Sequence, residues 1–296
     1  MIPLTRLKRD VQFNQELTKV IDVLKGIAAA RFHVLERQLH LFDRGVNAAA
    51  EFVGIADLPR VSHPFAQAQT ETVGALIVTS DTGFLGGLNT QVVNAALREV
   101  GTGGLLTVVG ERGASSVRES RREATVFPGI EDATRTSLAA AVTEHLLRQV
   151  LEGACGRLVV AYPRYVSSSS QQVTVEVLLP CSEWSLPAPQ GGGDGEVEWE
   201  SSVADVVEYV VTQWLGSRLE QIFSLSRLAE LAARMIHLEG SYQELMRQGK
   251  AIKFQYFRAR HEVIDRSMRE IFAAQLLSRQ LKQQPVMSDQ WLEIVS

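Results

Sequence analysis

Cysteine is scarce in this 296-residue chain, and the two that occur, Cys155 and Cys181, have neither CxxC nor metal-ligand spacing. That excludes a disulfide scaffold and a zinc centre and leaves two free thiols. No run of 18 uncharged apolar residues exists, so no segment reads as a membrane-crossing helix. The opening MIPLTRLKRDVQF lacks the apolar stretch of a secretory signal, and the chain is expected to stay in the compartment where it is made. Catalytic signatures are missing too. There is no HExxH, GxSxG, GxGxxG or GxxxxGKS/T, and the pair Gly249-Lys250 is followed by alanine. The six histidines are scattered; His33 and His40 share a helical face without a further ligand and read as surface residues. No catalytic or metal constellation is expected.

A net charge of −4 argues against a nucleic-acid surface spread over the chain. The charge is uneven: residues 1–55 carry 8 Lys+Arg against 6 Asp+Glu, residues 203–282 carry 12 against 9, and residues 56–202 carry 10 against 17. Mildly basic ends flank an acidic middle.

With 45% apolar residues the chain has enough to bury a sizeable core. Residues 4–50 have no proline, and Leu17, Ile21, Leu24, Ala28, Leu35 and Phe42 form one stripe at helical spacing. From Leu228, a three-four alternation runs through Leu231, Met235, Leu238, Tyr242, Leu245, Gly249, Ile252, Tyr256, Ala259, Val263 and Arg266. Such a heptad seam needs a partner. The other long amphipathic helix is the N-terminal one, so the two chain ends are expected to form an antiparallel coiled coil, interrupted at Arg31, Gln38, Gly249 and Arg266.

Between the ends the period changes. Short apolar runs at 75–78, 105–109 and 158–162 alternate with helical patterns at 90–100 and 137–151, which predicts βαβ units and a mostly parallel sheet. QQVTVEVLLP (171–180), the proline- and glycine-rich 186–195 and EVEWE (196–200) read as a hairpin with a flexible tip. The expected fold class is α/β: a coiled coil of the terminal helices plus a central Rossmann-like domain. The expected segments are 1–55, 70–202, 203–282 and a tail, 283–296.

VTSDTGFLGGLN (78–89) follows the first strand and asks whether a glycine-rich loop cradles a phosphate here. Without either phosphate fingerprint, Gly83, Gly86 and Gly87 are expected to make a tight strand-to-helix turn, with Asn89 or Thr90 capping the helix. Asp81, with no histidine or second carboxylate nearby in sequence, reads as a turn residue.

VTSDTGFLGGLN, the 159–180 segment VVAYPRYVSSSSQQVTVEVLLP, and LAARMIHLEGSYQELM followed by YFRARHEVIDRSMREI together resemble the gamma subunit of F-type rotary ATP synthases. The first matches VTSD-x-G-x-x-GGLN, the second a segment ending LLP, and Ala232, Ala233, Arg234 and Met235 match AARM. Lys19, Lys25, Ala28, Ala29 and Arg31 fall more loosely on the first-helix motif. The resemblance implies a non-catalytic central shaft without cofactor, standing in a ring of alpha and beta subunits, resting on a membrane c-ring with an epsilon subunit, peripheral on the cytoplasmic face. It places Arg234, Arg260, His261, Asp265 and Glu270 where the shaft meets the ring, and it gives Asp81, Gly83, Gly86, Gly87 and Asn89 the structural turn. Arg234 and Arg260 are expected to point outward, serving coupling and not folding. His261, Asp265, Phe257 and Thr82 depart from the usual residues, and 25 residues follow Ile271; these suggest a divergent branch, an alternative or sodium-coupled ATPase. A Rossmann-like enzyme with a ligand at Gly83–Gly87, or a free-standing coiled-coil adaptor, are the competing readings.

Overall fold

The computed structural model describes residues 3–38, 61–167, 170–184 and 202–283. The expected EVEWE strand, the tail beyond Gln283, His40 and Phe42 lie outside these, as does the Gln38 side chain. Among the described residues the α-helices and strands follow in order: α1 (Leu4–Gln38), β1 (Val73–Val78), α2 (Leu88–Val100), β2 (Leu105–Val109), α3 (Glu111–Glu119), β3 (Thr125–Phe127), α4 (Arg135–Leu151), β4 (Arg157–Ser167), β5 (Ser170–Leu179) and α5 (Val203–Gln283), with a short 3-10 turn, Cys181–Glu183, after β5. By contacts the chain divides into two units, Val23–Gly240 and the pairing of Met1–Asp22 with Ser241–Ser296.

In the first unit the strands lie in the order β3-β2-β1-β4-β5, parallel except for the antiparallel β4–β5 pair. The sheet is covered on both faces, which is why its central strands read as continuous apolar runs. Alternation along β1 divides the core. Leu76 and Val78 join Leu158, Val160 and Tyr162 under α4 and the beginning of α5, where Leu146, Val207, Trp214, Leu215 and Phe223 are buried. Ala75 and Ile77 face the other way, onto Val92, Val93 and Ala96 of α2 and Ala114 and Val117 of α3. Phe65, upstream of the expected domain boundary, belongs to the same core. Both cysteines are buried, and burial pushes each thiol up to about 11.

The same unit contains the inner half of the helical pair. Phe32 and Leu35 of α1 pack on Leu228, Leu231 and Ala232 of α5, and Lys25 pairs with Glu239 at 3.0 Å. Rising positions on α1 therefore meet falling positions on α5, the antiparallel sense expected. The register differs by one residue near residue 31: Phe32 is buried and Arg31 exposed, because a 3.5-residue repeat drifts against a simple count of three and four.

In the second unit, α1 contributes the buried Leu7, Asn14 and Ile21. The Asn14 amide donates to the Leu245 carbonyl at 3.2 Å, and Gly249 leaves room for it, since a Cβ there would stand 2.4 Å from Asn14 Oδ1. The α5 seam from Tyr242 to Ala259 is half-buried at every expected position. Val263 and Arg266 are exposed instead.

Candidate functional site

The loop after β1 lies at the carboxyl edge of the parallel strands, beside the point where the strand order reverses, which is where open α/β sheets form their crevice. The oxygens of its first three residues are spent internally. The Asp81 carboxylate accepts the Glu111 N–H at 2.8 Å and the Gly129 N–H at 3.0 Å. Ser80 O accepts the Arg112 N–H at 3.1 Å, and Thr79 Oγ accepts the Gly113 N–H at 3.1 Å. The donors of the first turn of α3, the place an anion would take, are thus occupied by oxygens of residues 79–81. Glycine at 110, 113 and 129 permits this closeness: a Cβ at any of them would stand 2.3–2.5 Å from Thr79 or Asp81.

Gly86 sits at φ +60, and so does the neighbouring non-glycine Phe84, at φ +64. Helix α2 starts at Leu88 with Gly87 as N-cap and no side-chain cap. The expected cap by Asn89 or Thr90 is therefore corrected. Asn89 reaches back instead, donating to Ser80 Oγ at 3.0 Å and accepting from Ser80 N–H at 3.4 Å, because a residue already inside the first turn faces the preceding loop.

The first two stretches singled out in the sequence meet Ala232, Ala233, Arg234 and Met235 of the third here. Ala232 and Met235 face α1, while Ala233 packs on Leu85 and Leu88 with Val173 beside them, and Tyr165 borders Phe32. Arg234 turns toward the loop. Its Nε donates to Gly83 O at 3.4 Å, and Nη2 donates to Thr82 Oγ1 and, at 2.6 Å, to Glu230. The other Glu230 oxygen accepts from Arg227 at 2.8 Å. With side chains 12, 8 and 14% exposed, Arg227, Glu230 and Arg234 form an enclosed triad. Arg234 is thus tied inward, against the expectation that it reaches out; Gly83 and Thr82 stand close enough to claim it.

Arg260, His261, Asp265 and Glu270 belong to the other unit, all exposed on α5. Their side chains make no hydrogen bond or ion pair among the described residues. Sequence reasoning missed Glu230 and Arg227, whose signal was the i−3 and i+4 spacing of opposite charges around Glu230. No cluster of three or more His, Cys, Asp or Glu able to hold a metal occurs among the described residues, and none of their helices is long and apolar enough to cross a membrane.

A sequence model of the ATP synthase family matches residues 4–275. The ATP synthase gamma chain of Acidovorax sp. (strain JS42) is 23% identical over 273 residues, covering 90% of this chain and 94% of that one. The ATP synthase gamma chain of Xanthomonas oryzae pv. oryzae (strain PXO99A) is 24% identical over 281 residues, covering 90% and 96%. Among solved structures, a chain of the Euglena gracilis mitochondrial ATP synthase OSCP/F1/c-ring assembly superposes with a TM-score of 0.69 at 16% identity, covering 97% of this chain and 98% of that one. A chain of the rotor of the same synthase gives 0.66 at 17%, covering 88% and 98%. These likenesses establish a shared fold.

Proposed function

The chain belongs to the ATP synthase family, and from that membership we infer that it is the gamma-type central stalk of a rotary F-type ATP synthase, a subunit that turns without catalysing. The observation that carries this reading is the distal part of α5. Every described side chain from Arg260 to Arg279 is exposed, including Val263, Ile264, Met268, Ile271, Phe272, Leu276 and Leu277 at 45–62%. A helix with so much apolar surface and no packing partner among the described residues is marginal in water. An enclosing ring of alpha and beta subunits supplies that partner, with Arg260, His261, Asp265 and Glu270 placed among the apolar residues to meet polar groups of the ring.

Coupling then follows from asymmetry. One helical shaft in a threefold ring presents a different face to each catalytic interface, so each interface is biased toward a different conformation, and rotation exchanges the biases. The catalytic sites lie in the ring, in keeping with the first turn of α3, whose backbone donors are taken by oxygens of residues 79–81. The partners proposed at the α/β domain are an epsilon subunit and the membrane c-ring, with the assembly peripheral on the cytoplasmic face and no part played by nucleic acid.

Co-expression with the alpha and beta subunits of the same organism tests this. A stoichiometric complex with ATPase activity is expected. Met268→Asp with Phe272→Asp should abolish its assembly while leaving the free chain folded; a free chain that never joins alpha and beta, under any expression ratio, overturns the reading.

A further inference from the structure

The enclosed triad forms one wall of a crevice of about 870 Å³ within the Val23–Gly240 unit, bounded by α1, α5 and the loops after β1 and β3. Its size suits a small ligand. Arg31, Arg112, Arg227 and Arg234 all line it, and their donors are not all claimed. Arg227 and Arg234 share the single carboxylate of Glu230, leaving one positive charge in excess in a largely desolvated place. Arg227 Nε is buried with no hydrogen-bond partner, a cost ordinarily removed by an acceptor. The Arg112 guanidinium lies beside Gly83, 3.4 Å from where a Cβ on that residue would stand, and Gly83 O in turn receives Arg234. Neither the Arg31 nor the Arg112 guanidinium has a partner among the described residues.

Of the carboxylates lining the same crevice, Asp81 is satisfied by two backbone N–H groups. Glu131 and Asp132 are exposed on the outer loop and pair with none of these arginines. Guanidinium forks from three walls, α1, α3 and α5, match a compact anion with several acceptor oxygens better than a single carboxylate. We propose that this crevice binds a phosphate-class oxyanion through Arg227, Arg112 and Arg31. Free orthophosphate and the terminal phosphate of a nucleotide share that chemistry. The site does not use the backbone donors of the first turn of α3, which oxygens of Thr79, Ser80 and Asp81 take, and it does not depend on assembly with other subunits.

Titration of the full-length free chain decides it, by calorimetry and by the ³¹P line width of orthophosphate, with chloride at matched ionic strength as control. Orthophosphate is expected to bind with a millimolar dissociation constant and to raise the unfolding midpoint above the chloride control. Competition by ATP would make a nucleotide phosphate the source, and indifference to ATP would make it the free anion. Arg112→Gln and Arg31→Gln, exposed residues whose loss leaves the fold intact, should each weaken binding about tenfold, as one charge-assisted contact is lost; Arg227→Gln should weaken it more. Orthophosphate giving no more than chloride, or binding unchanged in all three variants, overturns the proposal.

Discussion

Asp81 and Gly129 are fitted to each other so closely that position 129 admits no side chain. Asp81 Oδ2 accepts the Gly129 N–H at 3.0 Å, and a Cβ on residue 129 would stand 2.5 Å from the same carboxylate. Asp81→Ala should cost about 1 to 3 kcal/mol by stranding two backbone donors, and Gly129→Ala a similar amount through displacement of the carboxylate. The double variant should cost clearly less than both together, because the new methyl then enters space the carboxylate has left. Denaturant unfolding of the four chains measures this, and additive costs would contradict the fit.

Arg234 and Arg260, alike in sequence, should part company in stability. Arg234→Ala leaves the Glu230 carboxylate with Arg227 alone and cuts the tie to Thr82 and Gly83, a loss of about 1.5 to 3 kcal/mol for hydrogen bonds to a charged group. Arg260→Ala, on an exposed helix face, should change the free chain by less than about 0.5 kcal/mol. Parallel thermal unfolding of the two variants is the measurement. Equal midpoints would mean that the enclosure of Arg234 does not hold in solution.

Gly249→Ala should weaken the helical pair of the second unit by pressing a methyl on Asn14 Oδ1. Asn14→Ala should relieve much of that penalty while costing the Leu245 contact, and with it the polar residue that sets the register. Loss and partial recovery of helicity on heating, followed by circular dichroism, would display the pattern.

His145 carries the main pH expectation. Burial first, and the nearby Arg148 second, hold its pKa below the ordinary histidine value, and Gln149 lies 3.1 Å from its Nε2. The unfolded chain therefore takes up a proton at a higher pH than the folded one. Stability from this group is full above the ordinary histidine pKa of about 6.5 and declines as pH falls toward the lower folded value. His145→Gln should flatten that part of the acid limb between pH 7 and 5, read from unfolding midpoints; an unchanged limb would assign it to other groups.

Much of the seam was legible because heptad spacing survives any detail of packing, as Leu228, Leu231, Leu238 and Leu245 illustrate. Asn14 was not, since a polar residue at a seam position leaves no apolar mark. The strand Thr125–Phe127 is too short to carry a period. Asp81 could be read as a turn residue, but its partners lie 30 and 48 positions away, and nothing local announces them. Arg234 was misread for the same reason: its place beside the apolar stripe is visible in the sequence, whereas the loop that captures it is 152 positions distant.

The two buried thiols have a practical consequence for watching this molecule turn. With both held up to about 11 and shielded from solvent, neither supplies appreciable thiolate at neutral pH. A cysteine introduced on the exposed face of the β4–β5 hairpin, as in Val166→Cys, would then take a maleimide-linked bead or fluorophore in a background that needs no prior removal of native cysteines. The wild-type core is already silent to the chemistry by which rotation is made visible.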